Sequence, residues 1–80
     1  MQEVEFIVKQ QVRILHKEAV LEALHGVKPG LIRAHAVDIG GVLHPIKEAF
    51  ARVTGIDPLD FGTVQARRAF ERLGFSVTRV

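Results

Sequence analysis

Apolar residues crowd two short segments near the amino terminus, Val4-Glu5-Phe6-Ile7-Val8 and Val12-Arg13-Ile14-Leu15. Both are rich in β-branched and aromatic side chains and are predicted to be strands. A three-residue turn at Lys9, Gln10 and Gln11 would set Val8 against Val12 and Phe6 against Ile14. It would gather Val4, Phe6, Val8, Val12 and Ile14 on one face. A two-residue turn at Gln10-Gln11 would oppose Val8 to Arg13. One buried face fixes register, so the longer turn is expected.

The period then changes. From Lys17 to His25, Val20, Ala23 and Leu24 recur at helical spacing, and Gly26 is placed to end the helix in the left-handed conformation. Lys28-Pro29-Gly30-Leu31 has the Pro-Gly centre of a type II turn. Arg33 to Ile39 and Val42-Leu43-His44 flank Gly40-Gly41, a strong hairpin signal. That register pairs Ile39 with Val42, Asp38 with Leu43 and Val37 with His44. Pro45 suits a helix start, and Ile46, Ala49, Phe50 and Val53 form the stripe of a helix over 45–54. Glu48 and Arg52 are spaced to pair along it. Ile56 to Gly62 is expected to be a loop, Thr63 an N-cap, and Ala66, Ala69, Phe70 and Leu73 the stripe of a helix over 63–73 that Gly74 stops. Phe75 to Val80 is predicted to be a last strand.

The order ββ-α-ββ-α-α-β predicts an α+β fold, an antiparallel sheet with helices packed on one face. With 80 residues, no repeat and no linker, residues 1–80 form a single small domain. All five phenylalanines (Phe6, Phe50, Phe61, Phe70 and Phe75) are expected in one core.

Composition narrows the classes. There is no Cys, so neither a disulfide nor a thiolate metal site is possible. No apolar run is long enough to span a bilayer, and the acidic start, Met1-Gln2-Glu3-Val4-Glu5, lacks the basic region of a signal peptide. A cytoplasmic protein without a membrane partner is expected. The sequence pI of 9.5 suggests a basic protein, but the formal charge is only +2. With Cys and Tyr both missing, few groups titrate between histidine and lysine, and a small positive charge persists to high pH. Distribution says more. Residues 1–22 hold three basic and four acidic side chains, a charge of −1; residues 23–80 hold eight and five, a charge of +3.

Catalytic chemistry finds little support. Ser76 is the only serine, and no nucleophile-elbow, phosphate-loop or dinucleotide spacing occurs. His16, His25, His35 and His44 are nine, ten and nine residues apart, unlike the close pairs of zinc sites. No metal and no cofactor is expected. The histidines are expected at the surface or in hydrogen bonds, and neutral imidazole pairs would still make the fold sensitive to acid. Asp57 and Asp60 look like turn and capping residues, and Asp38 a hairpin residue. A non-enzymatic protein follows.

One surface stands out. Gln65, Arg68 and Arg72 lie at i, i+3 and i+7, away from the apolar stripe of their helix, with Arg67 at the flank and Glu71 four residues on. Arg68 and Arg72 repel each other in an isolated helix, which suggests an acidic partner. Gln and Arg are also the side chains that read purine edges bidentately. Lys47 and Arg52 on the preceding helix add charge.

The stretches Gly26-Val27-Lys28-Pro29-Gly30-Leu31-Ile32-Arg33, His35-Ala36-Val37-Asp38-Ile39, Pro45-Ile46-Lys47, Thr63-Val64-Gln65-Ala66-Arg67-Arg68 and Leu73-Gly74-Phe75 carry a resemblance. Residues 26–75 resemble a small module of unknown function found in short bacterial proteins. They also resemble a segment attached to some HNH-type restriction endonucleases that act on modified DNA. His44 stands where such segments commonly have Tyr. The resemblance implies association with DNA and a binding role for Lys47, Arg67 and Arg68. It does not bring nuclease activity, because no HNH motif occurs in the chain.

The expected function is therefore a nucleic-acid-binding module using Lys47, Arg52, Gln65, Arg67, Arg68 and Arg72. The alternative is a protein-interaction or homodimerisation module pairing through the strand at Phe75–Val80.

Overall fold

The computed structural model describes residues 2–80. Its elements are β1 (Glu3–Val8), β2 (Gln11–His16), α1 (Lys17–Leu24), β3 (His35–Ile39), β4 (Val42–Pro45), α2 (Ile46–Thr54), a short 3-10 turn (Pro58–Asp60), α3 (Thr63–Arg72) and β5 (Val77–Arg79). The α+β class and the order match the expectation from sequence. The strands, however, are shared between two antiparallel sheets, β1-β2 and β4-β3-β5. α1 touches β2 and β3, α2 touches β3 and β4, and α3 touches β1, β3 and β5, so α1 and α3 join one sheet to the other.

The first hairpin departs from its expected register. Only Lys9 and Gln10 separate its strands, at φ 52° and 62°. Two successive left-handed residues make the primed turn whose twist matches that of the strands. Val8 therefore faces Gln11, Phe6 faces Arg13 and Val4 faces Leu15. Leu15 enters the core, while Val12 and Ile14 turn outward and are 63% and 55% exposed. Arg13 makes this register tolerable. Its guanidinium donates to the Thr54 carbonyl at 3.0 Å, at the end of α2, where the last carbonyls carry partial negative charge.

The second hairpin has the expected register, Ile39 with Val42, Asp38 with Leu43 and Val37 with His44. The Asp38 carboxylate accepts the Gly41 N–H at 2.9 Å across the Gly40-Gly41 turn. Several local details differ from expectation. Gly62, not Thr63, occupies the N-cap of α3, and Thr63 opens the helix. Glu48 accepts the Gly30 N–H at 3.1 Å instead of pairing with Arg52. β5 is three residues long because Phe75 turns into the core, with its N–H bonded to the Phe70 carbonyl at 3.0 Å.

Phe50 sits at the centre of the core. Its ring centroid lies 5.2 Å from Phe6, 4.7 Å from Phe61 and 5.8 Å from Phe70, and Phe75 joins through Phe70 at 6.1 Å. Tilted and edge-on contacts of this kind stabilise beyond the area they bury. Among the described residues, no helix is long and apolar enough to cross a membrane.

His44 is the one buried ionisable side chain among the described residues, 2% exposed. Burial lowers its pKa below the usual histidine value, Glu48 opposes that shift and Arg52 reinforces it. An unfolded histidine takes its proton near pH ~6.5, whereas the folded imidazole stays neutral to lower pH. Its contribution is complete above the unfolded value and is lost as the pH falls toward the folded one. Denaturation midpoints should therefore decline as the pH falls from neutral into the acid range, and His44→Gln should flatten that decline. An equally steep decline in the variant would place the acid sensitivity elsewhere.

Candidate functional site

α3 owes its orientation to a simple division of its surface. Ala66, Ala69 and Phe70 are buried, leaving Gln65, Arg68 and Arg72 along the side next to β1. The helix begins beside the carboxyl end of β1. There the Gln65 side-chain amide donates to the Ile7 carbonyl, and Lys9 pairs with Asp60 at 3.2 Å. From that point a groove of about 830 Å³ runs between helix and strand to Val4 and Arg72. Val4, Phe6 and Ala69 are its buried or half-buried apolar lining. Ile7, Val12 and Val64 line its exposed parts, at 64%, 63% and 52%. Its polar groups are Gln65, Arg68 and Arg72 on the helix and Glu5 on the strand.

The other three expected residues lie elsewhere. Arg67 faces Glu71, with its Nε 3.7 Å from the carboxylate and no closer partner despite being shut off from solvent. Lys47 lies over the Phe61 ring at 5.2 Å and borders a separate depression of about 250 Å³ with Arg33, His35 and Thr63. Arg52 is exposed on α2, and its charge adds to the burial that lowers the pKa of His44. The six residues thus fall into four neighbourhoods, and only Gln65, Arg68 and Arg72 share a cavity.

Sequence reasoning missed the opposite wall, Glu5, Ile7 and Val12. The signal was the alternation of β1, with Glu3, Glu5 and Ile7 on one face. It pointed to solvent only once the two-residue turn placed Val12 and Ile14 on that face too.

Chemically, the groove can hold an anionic group at its arginines and apolar groups along its lining. A guanidinium binds carboxylate or phosphate oxygens through a planar fork of N–H donors. Among the described residues, no three His, Asp or Glu side chains gather as a metal site. His16 makes a single contact with Glu3 at 3.3 Å.

Residues 5–80 match the model of the SCO5918-like family, and the chain belongs to that family. No curated protein and no solved structure matches it.

Proposed function

We propose that this SCO5918-like domain is a non-catalytic recognition module that holds a protein partner in the groove between β1 and α3. The observation that carries this reading is the groove's make-up. Its size falls within the ~300–1,000 Å³ of ordinary ligand clefts, its lining is largely apolar, and Glu5 on the strand shares it with Arg68 and Arg72 on the helix. A phosphate backbone is best met by continuous positive charge, whereas a peptide offers apolar side chains, amides and carboxylates together.

Selection of a random peptide library on the immobilised full chain tests the reading. Enriched peptides should bind in solution and lose at least tenfold in affinity with Val64→Glu, a change at a half-exposed lining position. No enrichment, or enriched peptides indifferent to Val64→Glu, would remove it.

A nucleic-acid partner is the second reading. It is supported by the row of Gln65, Arg68 and Arg72 on one helix side and by the resemblance of residues 26–75 to segments beside HNH-type endonucleases. Labelled duplex should then bind at ~50 mM salt and weaken steeply by ~200 mM, because phosphate contacts release counterions. No binding at the lower salt with micromolar protein would dismiss it.

A further inference from the structure

Among the described residues β1 has one strand partner, β2, and its other edge pairs with no strand. In a hairpin closed by a two-residue loop, alternate residues exchange their backbone bonds, beginning with the pair that flanks the turn. Here those are Val8 with Gln11, Phe6 with Arg13 and Val4 with Leu15. The Lys17 N–H to Gln2 carbonyl bond of 2.7 Å continues the same rhythm. The amides and carbonyls of Glu5 and Ile7 therefore point the other way, toward the groove. Gln65 takes the Ile7 carbonyl. Among the described residues, nothing takes the Glu5 N–H, the Glu5 carbonyl or the Ile7 N–H. A strand edge in this state is a template for another strand.

Across the groove stand two exposed cations. Neither Arg68 nor Arg72 has an ion pair among the described residues. They are four residues apart, about 6 Å along a helix. Side chains two apart on a strand recur at about 6.6 Å on one face. Two carboxylates at alternate positions of an added strand thus match the two guanidinium groups. The residue between them falls on the other face, the one that carries Glu5 and the exposed Ile7.

We propose that the groove takes an extended segment of a partner protein as a third strand on β1, with two acidic side chains at alternate positions facing Arg68 and Arg72 and an apolar residue between them. The inference rests on the reading of the groove as a protein-binding site and adds the chemistry of what it binds. The intervening residue pairs with Glu5, and Gln65 marks where the added strand stops.

The probe is the capped peptide Ser-Val-Glu-Val-Glu-Val-Ser, titrated into the isotope-labelled full chain and followed by NMR. Binding should shift the Glu5 and Ile7 amide signals. Replacing both Glu by Gln in the peptide, or N-methylating its central Val, should each weaken binding at least tenfold. The Arg68→Glu/Arg72→Glu chain should lose this peptide and bind the one with Lys in place of both Glu. That exchange cannot arise from misfolding. Equal binding by the Gln or the N-methyl peptide, or a titration that leaves the Glu5 and Ile7 amides unmoved, would overturn the proposal. So would a single-stranded oligonucleotide moving those amides when the peptide does not. If library peptides still occupy the groove in those cases, the protein-binding reading survives its refinement; if no peptide of either kind does, both fall together.

Discussion

Phe50→Ala is expected to remove most of the stability of the domain. The side chain is fully buried, and three other aromatic rings surround it at 4.7–5.8 Å. Truncating a buried phenylalanine costs about 3–5 kcal/mol, through lost transfer energy and the cavity left behind. This site belongs at the upper end, because Phe6, Phe61 and Phe70 come from three separate parts of the chain and cannot all collapse into one space. A domain of this length has a total stability of roughly 4–12 kcal/mol. The chain has neither Trp nor Tyr, so unfolding is best followed by far-UV circular dichroism in denaturant. Phe50→Leu, which keeps most of the volume, should cost less than half as much. A Phe50→Ala midpoint close to that of the parent would mean that the aromatic cluster is not the centre of the core.

The second large effect has the opposite sign. Lys9 and Gln10 both hold left-handed backbone conformations, each of which costs a non-glycine residue on the order of 1 kcal/mol. Asn-Gly is the pair that suits such a turn. Lys9→Asn with Gln10→Gly is expected to stabilise the protein by about 1 kcal/mol, after allowing for the greater freedom that glycine gives the unfolded chain. The lost Lys9–Asp60 contact matters little, because Lys9 is 70% exposed. A gain of this size should raise the melting temperature by about 4–8 °C in a domain this small. A lowered melting temperature would show that the side chains at these positions matter more than the backbone strain. Gln10→Pro provides the converse, since proline cannot reach a positive φ, and it should unravel the first hairpin.

The same turn shows what could be seen in the sequence and what could not. The second hairpin was legible to the residue because Gly40-Gly41 announces a primed turn. The first used an identical device with Lys9 and Gln10, which announce nothing, and a one-residue error in the turn inverted β2. Apolar count alone favoured Val12 and Ile14 inside. It could not anticipate that Arg13 would be welcome there, because its partner, the Thr54 carbonyl, lies 41 residues away. The stripes of α2 and α3 and the five-phenylalanine core were visible because their periods are local. For the site, one wall was legible and one was not. Gln65, Arg68 and Arg72 share a side of one helix, which spacing reveals. Lys47, Arg52 and Arg67 share only the sign of their charge with these three, and charge carries no direction: one lies over a ring, one is exposed on α2 and one faces a glutamate.

The pairing of β5 has a consequence for the order in which the domain assembles. Each hairpin closes over two residues, whereas β5 reaches back to β3, His35 with Arg79 and Val37 with Val77. Joining those strands closes a loop of roughly 40 residues, and chain entropy opposes long loops more than short ones. Both hairpins can therefore form early, while β5 waits until α2 and α3 have packed and carried the carboxyl end into place. Once docked it offers three residues of ladder and one half-buried side chain, Val77. In hydrogen exchange, its amides should be the first of the β4-β3-β5 sheet to lose protection, by local opening that leaves the aromatic core intact.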